Sequence, residues 1–594
     1  MTPLFISDLQ KTIKEMPAND KQPVNILVWV NEKDEYRTLN FEVPVDKLIA
    51  ENKALYRKYL LAMINNMLSI FGGARMEIYY HLDSSVLTEL LDDAIAEYKL
   101  DSEKNDRPLY GVFVNYINRM NKLLGLGKFE MIKKDIAEYP TLDPKKQYHI
   151  YVPTDVEAER KILRLAAEEM DGKAFCNLDV GGNSIKVGVV KDGNTLALME
   201  YRWYPTANKT AAEMNDPIIL LARFMGLCVR LYEKEGTVDA VKNILDGDVS
   251  YGELLKAAEE LEAKGYAAEG VFDGIVIGYP DIIVHNKVAG GETQKQMGMK
   301  YNPDTDYDVE FFKTSDINDM VRPYGKKDAP VVVLNDGNAT SYISSVEQVY
   351  SPDKILDEYG TFANSLGTEL GTGFMSIGGT IQHIPLEGYM RILDLGNDEY
   401  LSQEPFDLRS VRSVNTSVPG MAQKYICQFG LFRLVITELW ERKDPMLDEL
   451  MDLGYVAYDE EKDYLYAVTE PVDMRGKLTR HIVGKLAEGN EIIINVFKTM
   501  GHAMGVHFDQ DLLIFPEIKP ARLLSGGVIA NDLAYKYFQE GLNEYNPEYK
   551  MIRLDEDHVY SPLLKKMTAK ERTFTAAIAS AYIANRILVE RDEK

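Results

Sequence analysis

Two glycine-rich segments far apart in the chain share one pattern, and that pattern restricts each of them to a tight hairpin. Residues 178–193 have the sequence LDVGGNSIKVGVVKDG, and residues 365–379 have the sequence SLGTELGTGFMSIGG. In each segment, a turn of small residues comes before an apolar stretch and a second turn, at the same interval. Glycine-containing turns between apolar segments are typical of β-hairpins. The chain is therefore predicted to contain the same hairpin twice.

The first turn of each hairpin has the composition of a phosphate-binding backbone. We expect glycine there because a backbone that wraps a phosphate takes φ > 0 and leaves its N–H groups accessible. Two such hairpins across a cleft would hold the phosphates of a nucleotide. The predicted contacts are Gly181, Gly182, Asn183 and Ser184 in the first hairpin and Gly367, Thr368 and Gly371 in the second.

Two charged residues accompany the first turn. Asp179 ends an apolar strand immediately before the glycines, and a carboxylate beside a phosphate loop commonly holds Mg²⁺, directly or through water. Lys186 is either a phosphate contact or the outward residue of an alternating strand, and the alternation favours the second interpretation. Asp179 is therefore predicted to be the metal ligand.

Size, charge and cysteine content limit the classes of protein. A chain of 594 residues is too long for one core, which predicts two or three domains. The formal net charge of −26 argues against nucleic acid or an anionic membrane as the main partner. Three cysteines predict neither a disulfide framework nor a zinc site, and neither a signal-peptide pattern nor a membrane-length apolar run is present in the sequence. We expect a cytoplasmic protein.

The order of apolar patterns predicts three regions. Residues 1–150 resemble a separate α+β domain that carries no chemical motif, so its role stays open. Apolar spacing predicts a helix over 46–70, helices from a strand at 76–82 to about residue 139, and a strand at 147–152. An amphipathic pattern predicts one final helix over 570–591. From residue 171 onwards strands alternate with helices, which is typical of an α/β core. We expect a first lobe at 171–345 and a second lobe at 346–594, with a helical insertion around 391–500.

A polar segment follows the apolar run at 330–334 and begins a helix. Ligands bind at the carboxyl ends of strands in open α/β sheets, so Asp336 is a candidate base that accepts the proton of a substrate hydroxyl. Asn335 and Asn338 would hydrogen-bond neighbouring hydroxyls, because amides both donate and accept. The competing interpretation is that Asp336 only caps the helix.

A third glycine turn follows a strand near the end of the chain. Ser525, Gly526 and Gly527 lie between an apolar stretch and a predicted helix. With no side chain at the two glycines, this turn is predicted to lie against adenine or ribose.

These segments, in this order, resemble the ROK family of sugar kinases, within the actin-like ATPase and hexokinase superfamily. Residues 179–186 and 367–373 resemble the family's two phosphate motifs, 335–339 its sugar-binding and catalytic-base segment, and 525–527 its adenosine motif. The resemblance implies an α/β fold of two ribonuclease-H-like lobes around a nucleotide cleft. It also implies ATP and Mg²⁺ as cofactors, a sugar or sugar derivative as substrate, and Asp336 as the base.

Other positions match the family less well. Residues 278–281 and the loop 286–299, which begins at Asn286, lie in the place of a family loop that touches the sugar. Glu387 is the nearest equivalent of the family's Glu-x-Gly-His segment, out of register and without the histidine. The family's cysteine-rich zinc motif is missing, so no zinc is expected. The loop also carries Lys287, Lys295 and Lys300, which would face an acidic substrate or only solvent.

Three functions remain open at the level of sequence. The leading hypothesis is an ATP-dependent sugar kinase. Glu369, which replaces a usual glycine, and the missing histidine motivate a sensor that binds sugar or nucleotide without efficient chemistry. An ATPase that drives a partner protein docked on residues 1–150 is the third. A homodimer is compatible with the sequence, which does not determine the oligomeric state.

Overall fold

The structure is a computed structural model that describes residues 3–98, 112–149, 155–291, 294–352, 361–376, 382–396, 402–469, 474–516, 521–553 and 559–592. Its strands are β1 (Lys21–Trp29), β2 (Tyr36–Pro44), β3 (Arg75–Tyr80), β4 (Glu130–Asp135), β5 (Ala174–Val180), β6 (Ser184–Lys191), β7 (Asn194–Arg202), β8 (Gly274–Tyr279), β9 (Ile283–Val284), β10 (Lys287–Val288), β11 (Val331–Asn335), β12 (Thr361–Leu366), β13 (Leu370–Met375), β14 (Val456–Asp459), β15 (Tyr464–Ala467), β16 (Ala521–Ser525) and β17 (Lys550–Arg553).

Its helices are α1 (Ile6–Glu15), α2 (Asp46–Glu51), α3 (Lys53–Phe71), α4 (Ser85–Ala96), α5 (Val112–Leu124), α6 (Val156–Glu168), α7 (Ala211–Glu235), α8 (Lys242–Leu245), α9 (Tyr251–Ala263), α10 (Met297–Lys300), α11 (Tyr307–Thr314), α12 (Ile317–Val321), α13 (Asp336–Tyr350), α14 (Gln428–Arg442), α15 (Pro445–Asp452), α16 (Met474–Gly484), α17 (Glu491–Ile514), α18 (Asp532–Tyr545), α19 (Pro562–Lys565), α20 (Ala569–Arg572), α21 (Thr575–Ala579) and α22 (Ala581–Asp592). Within the described ranges, no helix combines the length and apolarity that crossing a membrane requires.

The chain divides into two compact units, each built from three segments. The first unit comprises Met1–His149, Asn364–Thr372 and Ile384–Arg553, and the second comprises Ile150–Ala363, Gly373–His383 and Leu554–Lys594. The predicted domains at 1–150, 171–345 and 346–594 remain predictions. In the structure, residues 1–149 are grouped with 384–553, and the C-terminal segment is grouped with the first hairpin.

A five-stranded sheet forms the centre of the second unit. Its order is β11-β8-β5-β6-β7, and β6 alone among these five strands runs antiparallel to the others. Leu178 on β5 belongs to a core shared with α7, whereas Phe175 on the same strand belongs to a core shared with α22. Because both faces are covered, the central strands are mostly apolar, and the exceptions include Asp179 near the carboxyl end of β5. The mixed α/β architecture expected from the sequence is confirmed.

The C-terminal segment of the second unit is more broken than its amphipathic pattern suggests. The single helix predicted over 570–591 is wrong, because the segment forms α20, α21 and α22. Of these, α22 packs on the sheet: a Cβ at Gly274 on β8 would lie 2.5 Å from the Cβ of Ala584. This close approach requires glycine on the strand.

In the first unit, residues 3–149 contribute a sheet of order β2-β1-β3-β4. The prediction of helix through this region to about residue 139 is wrong for β4, which pairs in parallel with β3. The helix predicted over 46–70 is interrupted at Asn52 (φ −148°), whose side chain accepts the N–H of Leu55 and begins α3. Of the strand predicted at 147–152, Gln147 forms a single bridge to Tyr36, and 150–152 lie outside the described residues.

The second hairpin, formed by β12 and β13, belongs to a four-stranded sheet of order β13-β12-β16-β17. Its predicted second turn, at Gly378 and Gly379, lies outside the described residues. Helices α14, α15 and α16, from the stretch where a helical insertion was predicted, belong to the same unit as β16 and β17.

Candidate functional site

The carboxyl edge of the five-stranded sheet brings Asp179 and Asp336 together in the second unit. Asp179 on β5 is in register with Gly278 on β8, and Leu334 on β11 is in register with the same glycine. Asp336 therefore follows its strand at the edge where Asp179 lies. Between β5 and β11, the residue on β8 is Gly278, which has no side chain. A Cβ at that position would lie 4.0 Å from Oδ1 of Asp179.

The two carboxyl groups interact electrostatically. Burial raises the pKa of Asp179 to about 6, and the negative charge of Asp336 adds to the rise. Burial also raises the pKa of Asp336, against the opposing effects of Lys295 and of a hydrogen bond from the N–H of Gly337. A carboxylate with a raised pKa is a stronger proton acceptor, which suits it to general-base chemistry.

Helix α13 is capped by Asn335 rather than by Asp336. The Oδ1 atom of Asn335 accepts the N–H of Gly337 at 2.8 Å, and its amide Nδ2 donates to the carbonyl oxygen of Asp281 at 3.0 Å. The interpretation of Asp336 as the cap is therefore wrong, and Asp336 is the first residue of the helix. The side-chain oxygen and nitrogen of Asn335 are thus both used within the fold.

Lys295 completes this cluster, although the sequence left its role open. A Cβ at Gly182 would lie 3.1 Å from Cε of Lys295, so the lysine stem lies beside the first turn. Its positive charge opposes the rise in the pKa of both Asp179 and Asp336. A cation between two carboxylates and a turn of small residues is suited to bind an anionic group.

A buried network holds the residue that follows Lys295. Gln296 donates its side-chain amide to Oδ2 of Asp281, and its Oε1 accepts the hydroxyl of Tyr307 at 2.8 Å. Asp281 is 2% exposed and also accepts the N–H of Gly291 at 3.0 Å. Asp281 follows β8 at the same sheet edge and ends the segment 278–281, which the family resemblance placed beside the sugar without assigning a role to Asp281 itself.

The other predicted loop residues are engaged elsewhere. Lys287 forms ion pairs with Asp316 and, at 3.5 Å, with Asp319. Asn286 donates its Nδ2 to the carbonyl oxygen of Val331 at 2.8 Å and accepts the N–H of Val333. Asn286 thus binds the backbone of the edge strand β11, and its contact to a sugar stays a prediction without support from these bonds.

Asn338 is also used within its unit. It is 6% exposed, and its Oδ1 accepts the N–H of Phe374 at 3.2 Å. A Cβ at the adjacent Gly373 would lie only 2.0 Å from the carbonyl oxygen of Gly337. Asn338 therefore fixes the start of α13 against the segment after β13.

The first turn closes through its own backbone. The N–H of Gly181 donates to the carbonyl oxygen of Ser184 at 2.9 Å, and the indole of Trp203 donates to the carbonyl oxygen of Gly181 at 2.9 Å. Neither Gly181 nor Gly182 has a positive φ, so the expected reason for glycine is wrong here. The reason is space, since a Cβ at Gly181 would lie 2.8 Å from the Ser184 carbonyl oxygen.

Several polar groups around this turn already have hydrogen-bond partners, which limits their availability for phosphate. Ser184 donates its hydroxyl to Glu200 at 2.8 Å, so phosphate contact by Ser184 would involve its backbone or require exchange of this bond. The backbone carbonyl oxygen of Asn183 accepts the backbone N–H of Trp203 at 3.3 Å. Lys186 donates to the carbonyl oxygen of Thr573 at 2.7 Å, which agrees with the outward interpretation.

In the first unit, the second turn carries a carboxylate that is held by amides. Gln423 donates its Nε2 to both side-chain oxygens of Glu369, at 2.8 and 2.7 Å, and Asn415 donates to one of them at 3.2 Å. Buried Arg475 and Lys424 each interact electrostatically with Glu369. These donors and cations compensate the charge of Glu369 within the fold.

The remaining residues of the second turn are arranged around its backbone. The N–H of Gly367 donates to the carbonyl oxygen of Glu369 at 3.1 Å, and Thr368 is exposed. Gly371 accepts Nδ2 of Asn364 at 3.5 Å through its carbonyl oxygen. As in the first turn, Gly367 and Gly371 lack a positive φ.

The predicted adenosine turn differs, because one of its glycines does require special backbone geometry. Gly526 has φ +112°, and a Cβ there would lie 2.3 Å from the carbonyl oxygen of Leu366. Gly527 is exposed, and a Cβ there would contact nothing within 4 Å. Glu387, also in the first unit, is half-buried and donates its backbone N–H to the carbonyl oxygen of Ser69 at 2.8 Å.

The predicted site residues thus fall into two groups. Asp179, the turn at 181–184, Asn286, Asn335, Asp336 and Asn338 belong to the second unit, whereas Glu387 and the segments at 367–371 and 526–527 belong to the first. The second unit by itself contains the carboxylates of Asp179 and Asp336, Lys295 and the glycine turn at 181–184.

The carboxylates of Asp179 and Asp336 suit a magnesium ion, which needs only one or two protein ligands. Over the described part of the chain, no group of three or more histidine, cysteine, aspartate or glutamate residues could hold a metal. Mg²⁺ is commonly held by one or two carboxylates, with water and phosphate oxygens as the other ligands. Asp179, with Asp336 at the same edge, fits that requirement.

Comparisons with known proteins give matches at the level of structure only. A scan against protein-family models finds no match, and a search of curated proteins finds none either. Similar solved structures include a ROK family glucokinase from Streptomyces griseus in complex with glucose and AMPPNP (TM-score 0.37, 16% identity, 69% of this chain and 98% of that chain). A ROK hexokinase from Thermus thermophilus has a TM-score of 0.35 at 14% identity over 70% of this chain and 99% of its own.

A ROK family protein from Streptococcus pneumoniae TIGR4 in complex with sucrose has a TM-score of 0.36 at 11% identity, over 70% of this chain and 99% of its own. The structures found are sugar kinases and proteins of the family that the sequence motifs resemble. At these identities and TM-scores, the similarity assigns no function to this chain.

Proposed function

We propose that the protein is an ATP-dependent phosphotransferase that phosphorylates a hydroxyl of a sugar or sugar derivative. The observation that carries the proposal is the pair of Asp179 and Asp336 at one sheet edge, with raised pKa values and Lys295 beside both. The proposal also takes the second unit to be a ribonuclease-H-like lobe, which is supported by its five-stranded sheet, in which only β6 runs antiparallel to the other four strands.

Each residue of the cluster has a separate role in the proposed reaction. Asp336 accepts the proton of the substrate hydroxyl while the hydroxyl oxygen forms a bond to the γ-phosphorus. At the same time, the bond between that phosphorus and the oxygen that bridges it to the β-phosphate breaks, which releases ADP. Lys295 offsets the negative charge of the two carboxylates and of the incoming phosphate. Asp179 would hold Mg²⁺, which when bound neutralises charge on phosphate oxygens.

The turn at 181–184 contributes backbone rather than side chains in this scheme. Its glycines leave room beside Lys295, and the hydroxyl of Ser184 is already bonded to Glu200. Gly367, Thr368, Gly371, Gly526 and Gly527 are proposed nucleotide contacts, and Glu387 a substrate contact, on the basis of the sequence motifs alone. ATP as the donor and a cytoplasmic location are parts of the same proposal.

The test is coupled ADP release from the purified full chain with Mg-ATP, across neutral, amino, acidic and phosphorylated sugars and a no-sugar control. We expect one sugar class to stimulate release, and Asp336→Asn to reduce it by about 10²- to 10⁴-fold while nucleotide binding is retained. Asp328→Asn is the matched control, because Asp328 is exposed in the same unit and its φ of +65° tolerates asparagine.

Other outcomes would overturn the proposal. Sugar-independent release would favour an ATPase that drives a partner protein. Nucleotide binding without release in any condition would favour a sensor. Sugar-stimulated release that is unchanged in Asp336→Asn would remove Asp336 from the role of base.

A further inference from the structure

One buried residue, Asp281, connects the segment that carries Lys295 with the segment that carries Asp336. It lies in the second unit, shortly after the end of β8, and is 2% exposed. The proposed reaction needs the cation and the base at fixed positions around one phosphate, but it gives Asp281 no contact with a reactant. The bonds of Asp281 show how it acts on both.

The side chain of Asp281 binds the Lys295 segment at two points. Its Oδ1 accepts the N–H of Gly291 at 3.0 Å, and its Oδ2 accepts the side-chain amide of Gln296, the residue after Lys295. Gln296 is also 2% exposed, and its Oε1 accepts the hydroxyl of Tyr307 at 2.8 Å. With that hydroxyl on its oxygen, the amide of Gln296 presents its nitrogen to Asp281. Both oxygens of the carboxylate therefore hold the segment.

The backbone of Asp281 binds the Asp336 segment. Its carbonyl oxygen accepts Nδ2 of Asn335 at 3.0 Å, and Asn335 is the cap of α13 that directly precedes Asp336. Asn286, in the same loop, adds a second bond to the backbone of β11 at 2.8 Å. A shift of Asp281 would therefore change the position of Lys295 relative to Asp336.

The Lys295 segment has a second anchor that does not involve Asp281. Helix α10 packs closely on the chain after β7, because a Cβ at Gly298 would lie 2.5 Å from the carbonyl oxygen of Asn208. The same stretch begins at Trp203, whose indole donates to the carbonyl oxygen of Gly181 in the first turn. We expect this anchor to keep the segment folded when its bonds to Asp281 are lost. Their loss would then displace Lys295 without unfolding the unit.

We propose that Asp281 is a positioning residue that sets the placement of Lys295 relative to Asp336, through Gln296 on one side and Asn335 on the other. This role rests on the proposed function, because phosphotransfer is the reaction that needs both charges around one phosphate. A misplacement of about 1 Å can cost about 10²-fold in rate, so a short chain of hydrogen bonds between the cation and the base has a large effect.

An exchange of two nearly isosteric pairs of side chains tests the proposal. Gln296→Glu places a second carboxylate against Asp281, and it should lower kcat about 10- to 10²-fold with little change in the KM for the stimulating sugar. Asp281→Asn added to Gln296→Glu should recover most of the lost kcat. In that double variant the new amide donates to the new carboxylate, while Gly291 and Tyr307 keep their acceptors. Asp304→Asn is the matched control, because Asp304 is exposed in the same unit.

A second measurement is independent of turnover. The rate of acetylation of Lys295 by acetic anhydride is followed by peptide mass spectrometry, with Lys326, which is paired with Asp273 at 2.8 Å, as the internal reference. Gln296→Glu should raise the rate at Lys295 severalfold, because the displaced amine is more accessible, and the double variant should reverse the rise. Denaturant unfolding verifies that each variant is folded under the assay conditions.

Tyr307→Phe replaces Gln296→Glu if the latter does not fold. It removes only the hydroxyl that orients the amide of Gln296. Both readouts should change in the same direction as for Gln296→Glu, by a smaller factor. No change in either readout would overturn the proposal.

The outcomes separate this proposal from the proposed function. Sugar-stimulated ADP release with an unchanged kcat in Gln296→Glu overturns the role of Asp281 and leaves the phosphotransferase intact. A loss that the double variant does not recover at equal stability also overturns it, as does a raised sugar KM at unchanged kcat, which would place the network against the sugar. If the parent protein releases no ADP with any sugar, the proposed function fails. Unchanged acetylation of Lys295 in the variants would then overturn the positioning role as well.

Discussion

The two glycine turns each close through a backbone hydrogen bond, over three residues in the first and two in the second, and they lie in different electrostatic surroundings. The first turn closes through Gly181 N–H and Ser184 O at 2.9 Å, and the second through Gly367 N–H and Glu369 O at 3.1 Å. The side-chain stem of Lys295 lies beside the first turn, whereas the second turn contains the carboxylate of Glu369, which accepts hydrogen bonds from the amide of Gln423. Similar turns thus differ in their fixed charges, so their contributions to anion binding are expected to differ.

The difference also shows why glycine alone is a weak guide to function. Glycine at 181 provides space for a backbone oxygen, glycine at 526 permits a positive φ, and glycine at 527 has open space around it. Each of these positions looks the same in the sequence. The surrounding side chains decide which turn meets an anion.

The largest effect on this comparison is expected from Lys295→Met. Removing the cation beside the first turn should lower sugar-dependent turnover about 10²-fold, because the positive charge then no longer offsets the carboxylates and the phosphate. The measurement is kcat and KM for the sugar class identified by ADP release. Lys287→Met is the control, since Lys287 is paired with Asp316 and Asp319. Equal losses in both variants would show that Lys295 has no special role.

Replacement of the paired glycines tests the turn itself. Gly181→Ala should lower the free energy of unfolding by about 1–3 kcal/mol, because the new Cβ overlaps the carbonyl oxygen of Ser184. Gly182→Ala should change it by less than about 1 kcal/mol, because its Cβ meets only the flexible stem of Lys295. Denaturant unfolding of both variants measures the difference. A larger loss at 182 than at 181 would contradict this account.

The second turn is tested by Glu369→Gln. We expect the free energy of unfolding to fall by about 1–2 kcal/mol, because a glutamine places an N–H₂ group against the donors of Gln423 and Asn415. Turnover should change little if Glu369 has only a structural role. Thr368→Ala, at the exposed neighbouring position, is the control in the same denaturant experiment. A loss of turnover at unchanged stability would assign Glu369 a role in the reaction.

The smallest expected effect concerns Lys424, which lies near Glu369. Burial, with a smaller contribution from the charge of Arg433, lowers the pKa of Lys424 to about 7. Above that value the folded state holds the neutral amine while the unfolded chain stays protonated, so stability should rise with pH. Between pH 7 and 8 the gain should be about 1 kcal/mol, and Lys424→Met should lack it. Parallel pH dependence of the two proteins would refute this expectation.

Local patterns accounted for much of the second unit. Apolar runs followed by polar residues located β5, β8 and β11, and the parallel arrangement of these strands put Asp179 and Asp336 at one edge. The prediction failed at β4, whose sequence Glu130–Asp135 is charged and favours no strand by itself. Pairing with β3 makes it a strand, and that partner is distant in the sequence.

The sequence by itself determined the turns and the strand ends, because alternation, apolar runs and glycine act over a few neighbouring residues. Only the tertiary structure decided which charges meet them. Lys295 reaches the first turn because Asp281 holds Gln296, and Glu369 is compensated by Gln423, 54 residues further along the chain. Such contacts depend on how distant segments pack, and no local pattern encodes them.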